Sequence, residues 1–140
     1  MKAIRKIAKM PTKNNHRIYS SVVNVTDDYI EYTDGSYLIR VKKNDFDLAS
    51  GCYSKDEMAK ELMVPGSAKA KYIHYPNTES IIPQDTEHVI VVNGHYLENI
   101  LKVICSDSKT KAVEISIKND VLIVTCEGNT GIAAGMKEDR

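Results

Sequence analysis

The chain states one structural phrase twice. Val25-Thr26-Asp27-Asp28-Tyr29-Ile30-Glu31-Tyr32-Thr33 runs into Asp34-Gly35, and Ile117-Lys118-Asn119-Asp120-Val121-Leu122-Ile123-Val124-Thr125 runs into Cys126-Glu127-Gly128. Each copy reads as strand, tight turn, strand, glycine turn, because β-branched and aromatic runs favour strands while Asn, Asp and Gly tolerate tight-turn backbone. A further apolar run follows each glycine (37–41 and 132–136), and a segment with helical periodicity precedes each unit (2–10 and 95–104). The pattern predicts an α+β fold in which a helix lies on a three-stranded antiparallel meander, built twice.

A chain of 140 residues is long enough to bury one core. The expectation is a single domain over 1–140, with repeat one at about 1–53, a bridge at about 54–87 and repeat two at about 88–136. No apolar run approaches the roughly 18 residues of a membrane span, and the charged N-terminus does not read as a secretory signal. The three cysteines, Cys52, Cys105 and Cys126, are an odd number with no CxxC pair. That spacing predicts reduced thiols in a cytoplasmic protein and no zinc site.

The formal net charge of zero hides an asymmetry. Residues 1–26 hold Lys2, Arg5, Lys6, Lys9, Lys13 and Arg17 and no acid, so all 19 acidic groups fall in the rest of the chain. Ala3, Ile4, Ile7 and Ala8 recur at the spacing of one helix face, Lys2, Arg5, Lys6 and Lys9 occupy the other, and Pro11 ends the helix. Such a face can track a row of phosphates, releasing condensed counterion at each one neutralised. It can equally be a solvated face that only confers solubility. The apolar side carries no Trp, Phe or Leu to anchor in lipid, so no membrane partner is expected.

Further along, 17–25 reads as a strand, 29–33 pairs back on it, and 37–41 follows the Asp34-Gly35 turn. Ser54-Lys55-Asp56-Glu57 is a capping box that opens a short helix to about Met63, stopped by Pro65-Gly66. Residues 67–87 read as mostly extended, and 87–92 as a strand. Asn93-Gly94 opens a helix whose Leu97, Ile100, Leu101 and Ile104 form a core-facing stripe, leaving Glu98, Asn99 and Lys102 outward. Val113, Ile115 and Ile117 then alternate with Glu114, Ser116 and Lys118 before Asn119-Asp120 turns the chain.

Several of these segments carry a family resemblance. Tyr32-Thr33-Asp34-Gly35-Ser36-Tyr37-Leu38 resembles the "TDG-h-x-L" turn of the DNA sliding clamps, the family of the bacterial DNA polymerase III beta subunit and its shorter phage-type relatives. Residues 47–53 resemble the "dl..G.Y" of those relatives, Tyr75-Pro76 through Ile82-Pro83 is similar to the "FPDYxxxIP" segment, and residues 93–101 are similar to the "N-x-x-YL-x-x-x-L" helix. Ala134-Gly135-Met136-Lys137 sits where clamps end in "MP-x-R". The order of these segments covers most of positions 3–136. The chain departs from the pattern in supplying one domain instead of three, in Asn77 for aspartate, in Lys137 for proline, and in a helical signal at 54–70.

The resemblance implies a DNA-clamp fold and a processivity or DNA-tethering factor of phage or mobile-element type. Its helices would face double-stranded DNA and contact the backbone without sequence preference through Lys2, Arg5, Lys6 and Lys9, with Lys102 a lesser contributor. It also implies self-association, a DNA polymerase or other replication protein as partner, and Met136 in a peptide-docking pocket built partly from the C-terminal strand. The alternative is a clamp-fold interaction module that does not encircle DNA. No cofactor, metal site or catalytic residue is expected: His16, His74, His88 and His95 are scattered, Asp27-Asp28 and Asp34 serve as turn residues, and no phosphate-binding or nucleophile-elbow motif occurs. A hydrolase with an unrecognised site would require several carboxylates or histidines to converge.

Overall fold

Strand alternation and turn chemistry build the first half of the molecule. The computed structural model describes residues 2–10, 17–83, 85 and 88–137. The chain divides into two compact units, Met1–Ile82 and Pro83–Arg140, and each is described by itself. In the first, helix α1 (Lys2–Ala8) precedes strands β1 (Val22–Val25), β2 (Tyr29–Thr33), β3 (Leu38–Lys42) and β4 (Gly51–Ser54), followed by helix α2 (Lys55–Met63). The sheet is antiparallel throughout, in the order β3-β2-β1-β4.

Register separates its two faces. Val25 stands opposite Ile30, and Ile30 opposite Val41, on the inner face. Ile4 and Ile7 of α1 and Met58 of α2 bury themselves there with Val23, Tyr32, Tyr53 and Leu48. One residue along, Cys52, Asn24, Glu31 and Arg40 stand in a line across all four strands on the outer face. A strap formed by residues 67–82 crosses that face, its Lys71 bridging to Cys52 at the β4 edge.

Two expectations change here. Only the second half of 17–25 is a strand: Ile18–Ser21 forms a 3-10 turn. The Ser20 and Ser21 hydroxyls donate to the carbonyls of Arg17 and Ile18, at 2.7 and 2.8 Å, and this local bonding competes with the ladder. The meander also gains a fourth strand, β4, which pairs with the edge of β1 that β2 leaves free. Helix α2 starts as expected, with Ser54 accepting from the Glu57 N–H at 3.1 Å. The Glu57 carboxylate, however, turns to the Lys69 N–H instead of back to Ser54.

The second unit contains helix α3 (Gly94–Ile104) and strands β5 (Glu114–Lys118), β6 (Val121–Cys126) and β7 (Asn129–Ala134), ordered β5-β6-β7 and antiparallel. Asn93 caps α3 by accepting from the N–H groups of His95 and Tyr96. Asn119 and Asp120 both have positive φ, as a two-residue type I′ hairpin requires, and Glu127-Gly128 repeats that geometry. The second turn starts β7 at Asn129, earlier than the expected 132. Leu97, Ile100, Leu101 and Ile104 pack on Leu122, Val124, Cys126 and Ala133. A Cβ on Gly131 would lie 2.1 Å from the Ile100 Cγ2, so the missing side chain is what admits the helix to β7. The described part of the expected strand at 87–92, residues 88–92, is not a strand, and Glu87 lies outside the described residues; the Val91 carbonyl accepts from the Met136 N–H.

Candidate functional site: a basic helix face and an aromatic pocket

Burial of Ile4 and Ile7 fixes the roll of α1 and turns Lys2, Arg5, Lys6 and Lys9 to solvent. A seven-residue helix is marginal alone, so its stability comes from packing. Its C-terminal end gains a cation from below: the Lys55 ammonium donates to the Met10 carbonyl and lies 4.7 Å from the Tyr32 ring centre. A positive group there opposes the partial negative charge of the helix end. Burial lowers the Lys55 pKa from its ordinary value. None of the ion pairs among the described residues engages Lys2, Arg5, Lys6 or Lys9. Lys13 lies outside the described residues.

The second unit differs. Lys102 is exposed but sits 2.7 Å from the Glu98 carboxylate one helical turn away, so its charge is locally balanced. Met136 is half exposed just beyond β7. The structure thus leaves Lys2, Arg5 and Lys6 of α1 and Lys9 just past its end exposed, and places Lys102 and Met136 in a separate unit.

A pocket of ≈ 280 Å³ opens at the β2–β3 end of the first unit. Thr33, Gly35, Ser36, Tyr37 and Leu38 supply one wall, Pro76 and Ile81 of the strap another, and Arg17 and Tyr19 the third. The turn is made rigid by its own side chains. Asp34 Oδ1 accepts from the N–H groups of Ser36 and Tyr37 at 2.8 and 3.3 Å, and the Thr33 hydroxyl donates to the Tyr37 carbonyl at 2.6 Å. Gly35 has φ +95°, and a Cβ there would lie 1.9 Å from the Arg17 guanidinium, so glycine both forms the turn and seats the arginine. Arg17 donates to the Tyr19 hydroxyl at 2.9 Å, and the Tyr19 ring meets Tyr75 edge-on.

The strap is fastened by polar contacts. The Thr33 N–H donates to the Tyr75 hydroxyl at 3.0 Å; burial, more than any neighbouring charge, pushes that phenol above its ordinary range. Glu31 is fully buried, accepting from Arg40 Nε at 2.8 Å, the Thr78 hydroxyl at 2.5 Å and Asn24 Nδ2 at 3.0 Å. Arg40 also reaches Glu79 at 2.8 Å and lies over the Tyr29 ring. Each carboxylate oxygen of Glu31 is therefore partnered, which is the condition for holding a charge in a dry site.

No family model, curated protein sequence or solved structure matches this chain. The pocket unites segments 33–38 and 76–81, which the sequence presents some forty positions apart, and the Thr33–Tyr75 hydrogen bond is the direct link. The sequence reading assigns no site to either segment; the signal it carries there is two turn-forming motifs, each with aromatic residues. Among the described residues no cluster of three or more His, Cys, Asp or Glu could hold a metal, and no helix is long and apolar enough to cross a membrane. His16 lies outside the described residues.

Proposed function

We propose that this protein is a sliding-clamp-like processivity or DNA-tethering factor. Lys2, Arg5, Lys6 and Lys9 hold the phosphate backbone of double-stranded DNA without reading sequence. The pocket takes a short segment of a replication protein, such as a DNA polymerase, presenting an apolar side chain to Tyr37, Leu38, Pro76 and Ile81 and an acidic group to Arg17. One observation carries the reading: the cations stand on the inner side of the first unit's sheet, and the pocket lies on the strap side. A protein so arranged can bind DNA and a partner at once.

Encirclement calls for more than one copy, and β5 offers the means. It is an edge strand with all five residues exposed, and an unpaired edge is a template for another chain. Met136, half exposed beyond the last strand, is the second-unit residue assigned to partner contact. A second reading, an interaction module that does not encircle DNA, is favoured by α3, whose one outward lysine is balanced by Glu98. Closed circular and linear DNA separate the two. Retention on circles with loss from linear ends is the expected result for a ring, and equal behaviour on both supports the module.

A further inference from the structure

The C-terminal end of α3 and the end of β6 are tied together around two cysteines. Asn129, which stands opposite Cys126 in the β6–β7 register, donates from Nδ2 to the Ile104 carbonyl at 3.2 Å, and Cys105 is the next residue. Glu127, the neighbour of Cys126, accepts from the hydroxyls of Ser108 and Thr110 at 3.1 and 3.4 Å. Cys126 is buried in the core of this unit and Cys105 packs against that core, half-buried. Cys105 also lines an open hollow of ≈ 410 Å³ with Leu101, Lys102, Ser106 and Lys111. The Lys111 ammonium is held there by donating to the carbonyl of Cys105 itself. Cys105 thus lies at a hollow in which the Lys111 ammonium is fixed and which Lys102 also lines, and Cys126 lies in the core it packs against.

We propose that Cys105 and Cys126 form a thiol-modification site that accepts a small anionic disulfide at Cys105 and closes to an internal disulfide. In the first step the Cys105 thiolate attacks one sulfur of the reagent; the reagent's S–S bond breaks, a mixed disulfide forms and one thiolate leaves. In the second, the Cys126 thiolate attacks the Cys105 sulfur, the mixed disulfide breaks and the second thiolate leaves. The two protein thiols lose two electrons and two protons, and the reagent is reduced to two thiols. Lys111, and Lys102 in part because Glu98 balances it, favour a reagent that carries carboxylates. Burial, then Cys126 and Glu127, push the Cys105 thiol up against the opposing pull of Lys111, so the first step gains rate as pH rises. The third cysteine, Cys52, is shut beneath the strap, where its thiol meets Asn24 and the Ile73 carbonyl.

Oxidised glutathione is the probe. The reduced full chain is incubated with it, quenched in acid, alkylated and mapped by mass spectrometry without reduction. The expected map has a Cys105–Cys126 linked peptide and alkylated Cys52. Cys126→Ala should stop at a glutathione adduct on Cys105, and Lys111→Gln should slow that adduct several-fold, by clearly more than it slows reaction with uncharged hydroxyethyl disulfide, which feels only the lost pull on the thiol. The wild-type map alone decides the main point if a variant fails to fold. Three alkylated cysteines, modification of Cys52 at a rate equal to that of Cys105, or an adduct that never closes onto Cys126 would overturn the proposal.

Discussion

The two units start from the same sequence phrase and finish it differently. In the first, two helices cover the inner face of the sheet and the strap covers the outer. In the second, α3 covers β6 and β7 but not β5. Ile115 and Ile117 stand opposite Val124 and Leu122 and so share the helix-facing side, yet they are 59% and 43% exposed against 0% and 6% for their partners. Strand-turn-strand is thus specified locally, while what is laid across it decides whether a face becomes core or surface. The first unit carries the basic helix and the pocket; the second leaves the apolar side chains of β5 exposed.

The difference can be broken most forcefully on the outer face. Arg40→Ala would strand the buried Glu31 carboxylate, and removing one partner of such a pair costs about 3–5 kcal/mol. Near-ultraviolet circular dichroism in urea reports on this unit, since every tyrosine but Tyr96 precedes residue 83. A loss of stability below about 0.5 kcal/mol, the usual range for a surface change, would mean that the strap is held by something other than this network.

Matched truncations on the inner face test cover directly. Ile30→Ala removes a fully buried side chain and should cost about 2–5 kcal/mol. Ile115→Ala, on the equivalent face of the other unit, should stay within about 0.5 kcal/mol in dilute solution. Ile115→Glu should lower the mass seen by light scattering if β5 pairs with a second copy. Gly131→Val sharpens the α3 contact: the added side chain meets the stiff branched Ile100, and overpacking of this kind costs about 1–3 kcal/mol. Native-state hydrogen exchange over 94–104 is the readout. A neutral result would show that α3 slides freely on β7.

Lys102→Gln should do least. Its pair with Glu98 is exposed at both ends, and such pairs contribute roughly 0–1 kcal/mol. DNA affinity should hardly change. A large loss would move part of the DNA contact into the second unit.

Much of the architecture was legible where the signal is local. The Asn119-Asp120 hairpin, the stripe on α3, the Asn93 cap, and α2 between Ser54 and Pro65 all depend on residues within a few positions of one another. What escaped depends on register. Asn24, Glu31 and Arg40 are polar residues at alternate positions of apolar strands, which reads as a solvent-facing side. Only pairing across three strands lines them up, and only the strap makes them interior. The basic face of α1 was legible because four cations recur at helical spacing. The pocket was not, because it exists only once Tyr75 returns to Thr33.

The central claim is that α1 meets DNA phosphates, and the salt dependence of duplex binding tests it most directly. With each phosphate contact contributing about −0.9, four cations predict a slope of log affinity on log salt of roughly −3 to −4 per subunit. In the double variant Lys6→Glu/Lys9→Glu the affinity should fall similarly on any duplex sequence and the slope should become shallower. An unchanged slope and affinity in that variant would contradict the account and leave the face of α1 a solubilising surface.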